Sequence, residues 1–456
     1  MRRDPLPAGA AAGPVDDLGV LRFMTCGSVD DGKSTLIGRL LHDSRALLAD
    51  TLDALARVSS QRGLGAPDLA LLTDGLLAER EQGITIDVAY RYFATPRRKF
   101  IIADSPGHEQ YTRNMVTAAS TADVAVLLVD ARRGLQPQTR RHAALATLLG
   151  VRELILAVNK MDLVDGSRAV FEAIVAEFEA WLAGHPALLA GRPAPTVHAV
   201  PVCALNGDMV AERGEALGWY RGPTLLERLE AAPAGHDDAL AQPLRLPVQW
   251  VCRPVPGAAG AAGAGGAAAV TGAGARVYAG RIESGRLAVG DEIVLWPSGQ
   301  RSRVAALALG AAPLATARAG QSVAVTLADE RDVSRGDVIL AAASADEAVP
   351  QGGAHELTAT LCWLADTPPA PGRTWTLRHL TREAAARIET VEAHLDVHAL
   401  SWAGAPAAVG LNDLVRVRLR TREPLAAAPY ARSRAAGSFI LVDPATRATV
   451  AAGLIE

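Results

Sequence analysis

The sequence predicts an α/β P-loop domain followed by two small antiparallel β-barrel domains, and three observations carry that reading. From about residue 20 to 235, continuous apolar runs alternate with helix-like segments. A phosphate-loop pattern stands between the first such run and the first helix. Beyond residue 242 the pattern changes to short strand-like segments broken by Gly, Pro and Asp. A chain of 456 residues has room for about three domains.

Residues 1–19, rich in Ala, Gly and Pro, read as a mobile tail. Asp4, Asp16 and Asp17 interrupt it, so it does not read as a signal peptide. Residues 21–26 read as a strand and residues 35–41 as a helix start. Between them lies Gly27-Ser28-Val29-Asp30-Asp31-Gly32-Lys33-Ser34, which fits GxxxxGK[ST] at every fixed position, with Thr35 next in line. Glycines let backbone N–H groups close around a phosphate chain; Lys33 reaches the terminal phosphates, and the Ser34 hydroxyl ligates Mg²⁺. The helix N-terminus behind them favours anions. Runs 100–103, 124–129 and 154–158 are apolar throughout, and 197–202 is apolar but for His198, as in a parallel sheet covered by helices on both faces. A linker at 233–242 ends the nucleotide domain at about 235. The first barrel is placed at 242–342 and the second at 353–456, with a boundary at 341–353. The stretch 257–275, almost wholly Ala and Gly, reads as a flexible loop between barrel strands.

Composition narrows the function. A net charge of −3 offers no broad polyanion-binding surface, so a nucleic-acid partner is not expected. No run approaches membrane-spanning length. Cys26, Cys203, Cys252 and Cys362 are far apart with no CxxC pair, which argues against zinc or a disulfide framework and points to a reducing cytoplasm. Of 46 cationic residues only Lys33, Lys99 and Lys160 are lysine. Two of these three fall in nucleotide motifs, where a compact ammonium and a planar guanidinium are not interchangeable.

The further motifs each follow an apolar run. In Asp104-Ser105-Pro106-Gly107-His108, the carboxylate can hold the water shell of Mg²⁺ and the Gly107 N–H can meet a γ-phosphate. In Asn159-Lys160-Met161-Asp162, Asp162 can accept two hydrogen bonds from the N1–H and N2–H₂ edge of guanine, a donor pair that adenine lacks. Lys160 would lie along the base and the phosphate loop. In Cys203-Ala204-Leu205, a backbone N–H near Ala204 can donate to guanine O6. Thr85, within Gly83-Ile84-Thr85-Ile86-Asp87, is suited to closing over Mg²⁺ and the γ-phosphate. The 52-residue span from Lys33 to Thr85 fits an effector segment that orders with GTP. Together the motifs specify GTP with Mg²⁺ and make the first domain an α/β P-loop GTPase domain.

These segments, with Glu79-Arg80-Glu81-Gln82-Gly83-Ile84-Thr85-Ile86-Asp87, resemble the translation-factor GTPases. Within that superfamily the chain is most similar to the large, GTP-hydrolysing subunit of bacterial sulfate adenylyltransferase. The Asp30-Asp31 pair, Asp87-Val88-Ala89-Tyr90-Arg91-Tyr92-Phe93, His108-Glu109-Gln110-Tyr111-Thr112-Arg113-Asn114-Met115, Trp219-Tyr220-Arg221-Gly222-Pro223-Thr224-Leu225-Leu226 and Ser334-Arg335-Gly336-Asp337 carry the likeness. The resemblance implies that GTP hydrolysis drives ATP and sulfate to adenylyl sulfate and diphosphate on a small catalytic partner subunit. It implies that His108 orients the attacking water and that Val29 and Ile84 gate its approach. It also raises a monovalent-cation role for Asp30, against the simpler reading of a solvated carboxylate. No second phosphate loop and no adenylylsulfate kinase domain is expected in the chain. Cys203 departs from the resemblance, standing where Ser is usual. The competing expectations are an elongation factor carrying aminoacyl-tRNA and a scaffold that binds GTP without turning it over. His394 and His398, four apart, read as strand residues rather than a metal pair. Arg416, Arg418 and Arg420 alternate on one strand face that reads as solvated, with contact to the partner subunit as the alternative.

Overall fold

The computed structural model describes residues 19–46, 69–72, 88–105, 112–186, 194–235, 239–252, 276–349, 353–396 and 401–456. The chain divides into two compact units, residues 1–234 and 235–456.

The first unit is built on strands β1 (Val20–Gly27), β2 (Ala89–Ala94), β3 (Lys99–Asp104), β4 (Val124–Asp130), β5 (Glu153–Asn159) and β6 (Thr196–Pro201). Its described helices are α1 (Lys33–Asp43), α2 (Thr112–Thr121), α3 (Pro137–Leu148), α4 (Arg168–Ala183) and α5 (Leu225–Ala231). The sheet order is β2-β3-β1-β4-β5-β6. All seven residues of β4 are buried, as expected of a strand covered on both faces. Strands β1, β3, β4, β5 and β6 run parallel, so their carboxyl ends share one edge of the sheet. The sheet is not wholly parallel, however: β2 pairs with β3 antiparallel. A tight turn closed by Thr95 N–H on Arg98 O at 2.9 Å joins these two strands, and a parallel crossover needs a dozen or more residues. The reversed strand lies at the sheet edge and leaves Tyr90 and Tyr92 exposed.

Local chemistry sets the helix ends. Thr224 and Glu227 form a reciprocal capping box at the start of α5, with bonds of 3.1 and 2.8 Å. At the other end of α5, buried Arg98 donates to the carbonyls of Leu229, Glu230 and Ala232, which have no helical partner.

The second unit holds two antiparallel barrels. In the first, Arg245–Pro247, Val338–Ala341, Glu292–Trp296, Gln300–Leu309, Ser322–Leu327 and Val277–Arg281 follow one another across the sheet. They enclose Leu246, Tyr278, Ile293, Leu295, Leu307, Val325 and Ile339. In the second, Thr374–His379, Ser438–Val442, Thr449–Ile455, Ala354–Trp363, Leu414–Leu425 and Arg382–Asp396 pair in turn, and the last pairs back to the first. That ring of six strands has no free edge. Arg382 lies over the Trp296 ring at 5.2 Å, joining the two barrels. His394 sits on the strand Arg382–Asp396 and faces Asp413 at 3.6 Å. His398 and the 257–275 stretch lie outside the described residues. Arg416, Arg418 and Arg420 face Glu456, Glu392 and Glu389 at 3.0, 2.9 and 3.9 Å, so this face neutralises itself.

His379 is buried, with Nε2 2.8 Å from Ala436 O. Burial, with a smaller push from the Arg245 charge, lowers its pKa to about 4 in spite of that bond. The unfolded imidazole, with a pKa near 6.5, therefore takes up a proton first. Stability is complete above that value and falls as pH drops toward 4, by about 1.4 kcal/mol per pH unit. We expect His379→Gln, which keeps an N–H donor and cannot titrate, to lose about 2 kcal/mol less than wild type between pH 7 and pH 5 in urea unfolding of the second unit's transition. An identical loss in both proteins would refute the assignment.

Candidate nucleotide-binding site

The motifs collect where β1, β3, β5 and β6 end. The phosphate loop leaves β1 and enters α1 through Gly32, whose left-handed φ of 95° suits glycine. A Cβ there would stand 2.4 Å from Asn159 Nδ2, and one on Gly27 would stand 2.7 Å from Leu128 O. Both fixed glycines are thus required by close approach of neighbouring chain. Inside the loop the Ser28 N–H donates to Asp31 Oδ2 at 2.6 Å. Lys33 Nζ arches back to the carbonyls of Gly27 and Ser28 at 3.0 and 2.8 Å. Burial pulls the Lys33 pKa down, opposed chiefly by the charges of Asp104 and Asp31. Burial also pushes the Asp31 carboxyl up, against the bond from Ser28. Ser34 and Thr35 occupy the first turn of α1, where N–H groups lack helical acceptors.

Side chains from later in the sequence hold the loop from outside. The Gly27 N–H donates to His142 Nδ1 at 3.1 Å, and Arg133 donates to Val29 O at 3.3 Å. Lys160 Nζ donates to Asp30 O, and Asn159 Nδ2 donates to Asp31 O at 2.8 Å. His142 on α3 is buried; burial first, then the charges of Lys33 and Arg141, lower its pKa to about 3. It is therefore a neutral ring that accepts at Nδ1, with the Gln138 amide 2.9 Å from its other nitrogen. The side chains of Val29 and Asp30 are exposed, and Asp30 has a φ of 68°.

Asp104, at the end of β3, is buried and receives the Thr25 hydroxyl on Oδ1 at 3.1 Å. The Ser105 hydroxyl donates to Thr25 O at 2.7 Å. One carboxylate oxygen is thereby pinned. A buried carboxylate and the Ser34 hydroxyl are the hard oxygen donors that Mg²⁺ takes alongside waters and phosphate oxygens. Among the described residues no three His, Cys, Asp or Glu side chains cluster as an all-protein metal cage, which Mg²⁺ does not need. Thr85 and Ile84, and likewise Pro106, Gly107 and His108, lie outside the described residues.

The residues expected to read the base follow β5 and β6. Asn159 is buried, and Lys160 turns the chain with a φ of 61°. Buried Met161 anchors a short 3-10 turn that presents Asp162 at the surface. The Cys203 thiol donates to Asp162 Oδ1 at 3.0 Å. Burial first, and this bond second, raise the Cys203 pKa to about 11, so the thiol keeps its proton and serves as the donor to Asp162. In the 203–205 turn, where a backbone N–H near Ala204 is expected to meet guanine O6, the Ala204 N–H bonds Asn159 Oδ1 at 3.0 Å. A base oxygen would have to share that donor. Leu205 is exposed at the turn beyond.

Asp130, the last residue of β4, was not singled out from the sequence. It receives Lys160 Nζ at 2.9 Å and the Arg132 fork at 3.1 and 2.7 Å. Burial pushes its carboxyl up, but these bonds outweigh it and hold the group well below the usual carboxylate range. Its position directly after an apolar run, like every other motif, was the available signal. His142 and Gln138 carry no such signal, because their helix follows a loop.

Comparison with known proteins agrees with this layout. The profile of the "Elongation factor Tu GTP binding domain" matches residues 19–234, that of "Elongation factor Tu domain 2" residues 275–340, and that of the "GTP-eEF1A C-terminal domain-like" family residues 356–456. The "Bifunctional enzyme CysN/CysC" of Mycobacterium tuberculosis is 47% identical over 96% of this chain and 67% of its own length. The "Sulfate adenylyltransferase subunit 1" proteins of Chromobacterium violaceum and Aeromonas hydrophila are 46% and 44% identical, each over 96% of this chain and 86% of its own length.

The Cys203 bond gives base selection a direct test. In Asp162→Asn the thiol would pin the amide oxygen, turning the NH₂ toward the base, where it can donate to a carbonyl but not accept from an amine. We expect nucleotide preference to move from guanine to xanthine by at least about tenfold in competition binding. Retained guanine preference would remove Asp162 from base reading.

Proposed function

The chain belongs to the family of sulfate adenylyltransferase subunit 1, built on the elongation factor Tu GTP-binding domain, and from that premise we propose that it is the GTP-hydrolysing subunit of a sulfate-activating enzyme. GTP hydrolysis here drives the condensation of ATP with sulfate, giving adenylyl sulfate and diphosphate, on a separate small catalytic subunit. The observation that carries this reading is the set of strand-end motifs on one sheet edge, in a chain whose relatives over 96% of its length bear the subunit 1 name. Those relatives favour sulfate activation over the carriage of aminoacyl-tRNA. The name subunit 1 implies a complex with another subunit; the small catalytic chain as that subunit is our proposal.

In this reading the loop N–H groups and Lys33 bind the β- and γ-phosphates of GTP, and Asp162 with the 203–205 turn selects guanine. Ser34 and Asp104, with Thr85, would hold Mg²⁺. When bound, the ion neutralises charge developing on the phosphate oxygens. His108 orients the attacking water, with Val29 and Ile84 beside its approach. Asp30 remains a solvated carboxylate whose carbonyl anchors Lys160. Coupling to the partner requires that the GTP and GDP forms differ in affinity for it, since a ligand shifts an equilibrium only by its differential binding. No described helix is long and apolar enough to cross a membrane. A cytoplasmic location is part of the proposal.

Reconstitution with the small subunit, measuring GTP hydrolysis and adenylyl sulfate together, tests the whole reading. Lys33→Ala is expected to abolish both activities; sulfate activation still stimulated by GTP would overturn the assignment. His108→Ala is expected to keep GTP binding within about threefold and to lose at least a hundredfold in turnover. Wild-type turnover would take His108 out of catalysis.

A further inference from the structure

We propose that Arg39 is a positioning residue for guanine selection, fixing the base-reading turn to the helix that carries the phosphate loop. The proposal rests on reading this sheet edge as a guanine-nucleotide site. Arg39 lies on α1, after Lys33 in the same helix. Its Nε donates to Ala204 O at 3.3 Å, and its Nη2 donates to Leu205 O. These carbonyls belong to a compact turn closed by Cys203 N–H on Asp208 O at 3.0 Å and by Gly207 N–H on Cys203 O at 2.8 Å. Gly207 has a φ of 92°, and a Cβ there would lie 3.4 Å from Arg39 Cδ and 3.6 Å from Nε. The guanidinium therefore rests on the bare face of Gly207 while its fork meets two carbonyls. Asp43, one turn further along α1, faces Nη1 at 3.6 Å and steadies the fork.

What the turn carries gives this contact its meaning. Cys203 bonds Asp162 and Ala204 bonds Asn159, so the residues around the base reach α1 through the same few atoms. Lys33 and Arg39 stand on one rigid helix, about 9 Å apart along its axis. The spacing between phosphate grip and base grip is thus fixed by a helix rather than by flexible loops. A lysine, as a point charge, could meet one carbonyl and could not lie flat on Gly207. The Arg39–Asp43 pair by itself is an i,i+4 helix ion pair at 3.6 Å, of a kind that contributes little. A purely structural role would lower the melting temperature and leave base choice alone.

The test is equilibrium binding of GDP and ADP to the full chain carrying Arg39→Leu or Arg39→Lys. Arg39→Leu is expected to weaken GDP by about tenfold, the order of losing charge-assisted hydrogen bonds. ADP should move less than about twofold, because its phosphate contacts are untouched. The preference for GDP over ADP therefore falls, and Arg39→Lys restores about half of the loss on a logarithmic scale. An unchanged preference in Arg39→Leu, whatever its melting temperature, overturns the proposal. If that variant does not fold, Arg39→Lys decides alone: a threefold loss of preference supports the role, and wild-type preference refutes it. A wild-type chain without preference for GDP would instead defeat the guanine reading itself.

Discussion

The Asn159 side chain is the contact on which the rest of the site depends. Its Nδ2 donates to the carbonyl of Asp31 in the phosphate loop, and its Oδ1 accepts from the N–H of Ala204 in the base-reading turn. The amide is buried and presses against Gly32 so closely that no side chain fits there. Loss of either partner would leave a polar atom buried without a bond, a cost of about 1–3 kcal/mol. The lysine pattern at the start of the chain and the turn some 170 residues later are therefore one structure. Asn159 also dictates glycine at position 32, so a requirement usually assigned to the phosphate is met here by the protein alone.

Around that contact, several charges are paired. Asp130 collects Lys160 and Arg132, and Lys160 in turn holds the Asp30 carbonyl. His142 does the opposite work: it is neutral and accepts a backbone N–H, in a place where a second cation would repel Lys33. The protein's own atoms thus hold the curvature of the loop.

Much of this was legible in the sequence. The glycine spacing, Lys33, Asp104 and the Asn159–Asp162 tetrapeptide carry their positions in the order of strands, because a parallel sheet brings the end of every strand to one edge. The two barrels were visible as a change from long apolar runs to short broken ones. What the sequence concealed were contacts between elements distant in the chain. Arg39, Asp130 and His142 belong to no repeating pattern, and the fold alone brings Arg39 to the Ala204 and Leu205 carbonyls, Asp130 to Lys160, and His142 to the Gly27 N–H. The antiparallel β2 was hidden for a different reason: its alternating pattern shows one wet face but not the direction of pairing.

Cys203 has a consequence for chemistry rather than for recognition. A thiol in place of a hydroxyl normally exposes a site to oxidants and alkylating agents, because the thiolate is the reactive form. Here Cys203 is 2% exposed and its pKa is raised to about 11. At neutral pH roughly one molecule in ten thousand carries the thiolate. The substitution therefore adds a thiol of low reactivity, and the sulfur behaves as a larger, softer donor to Asp162.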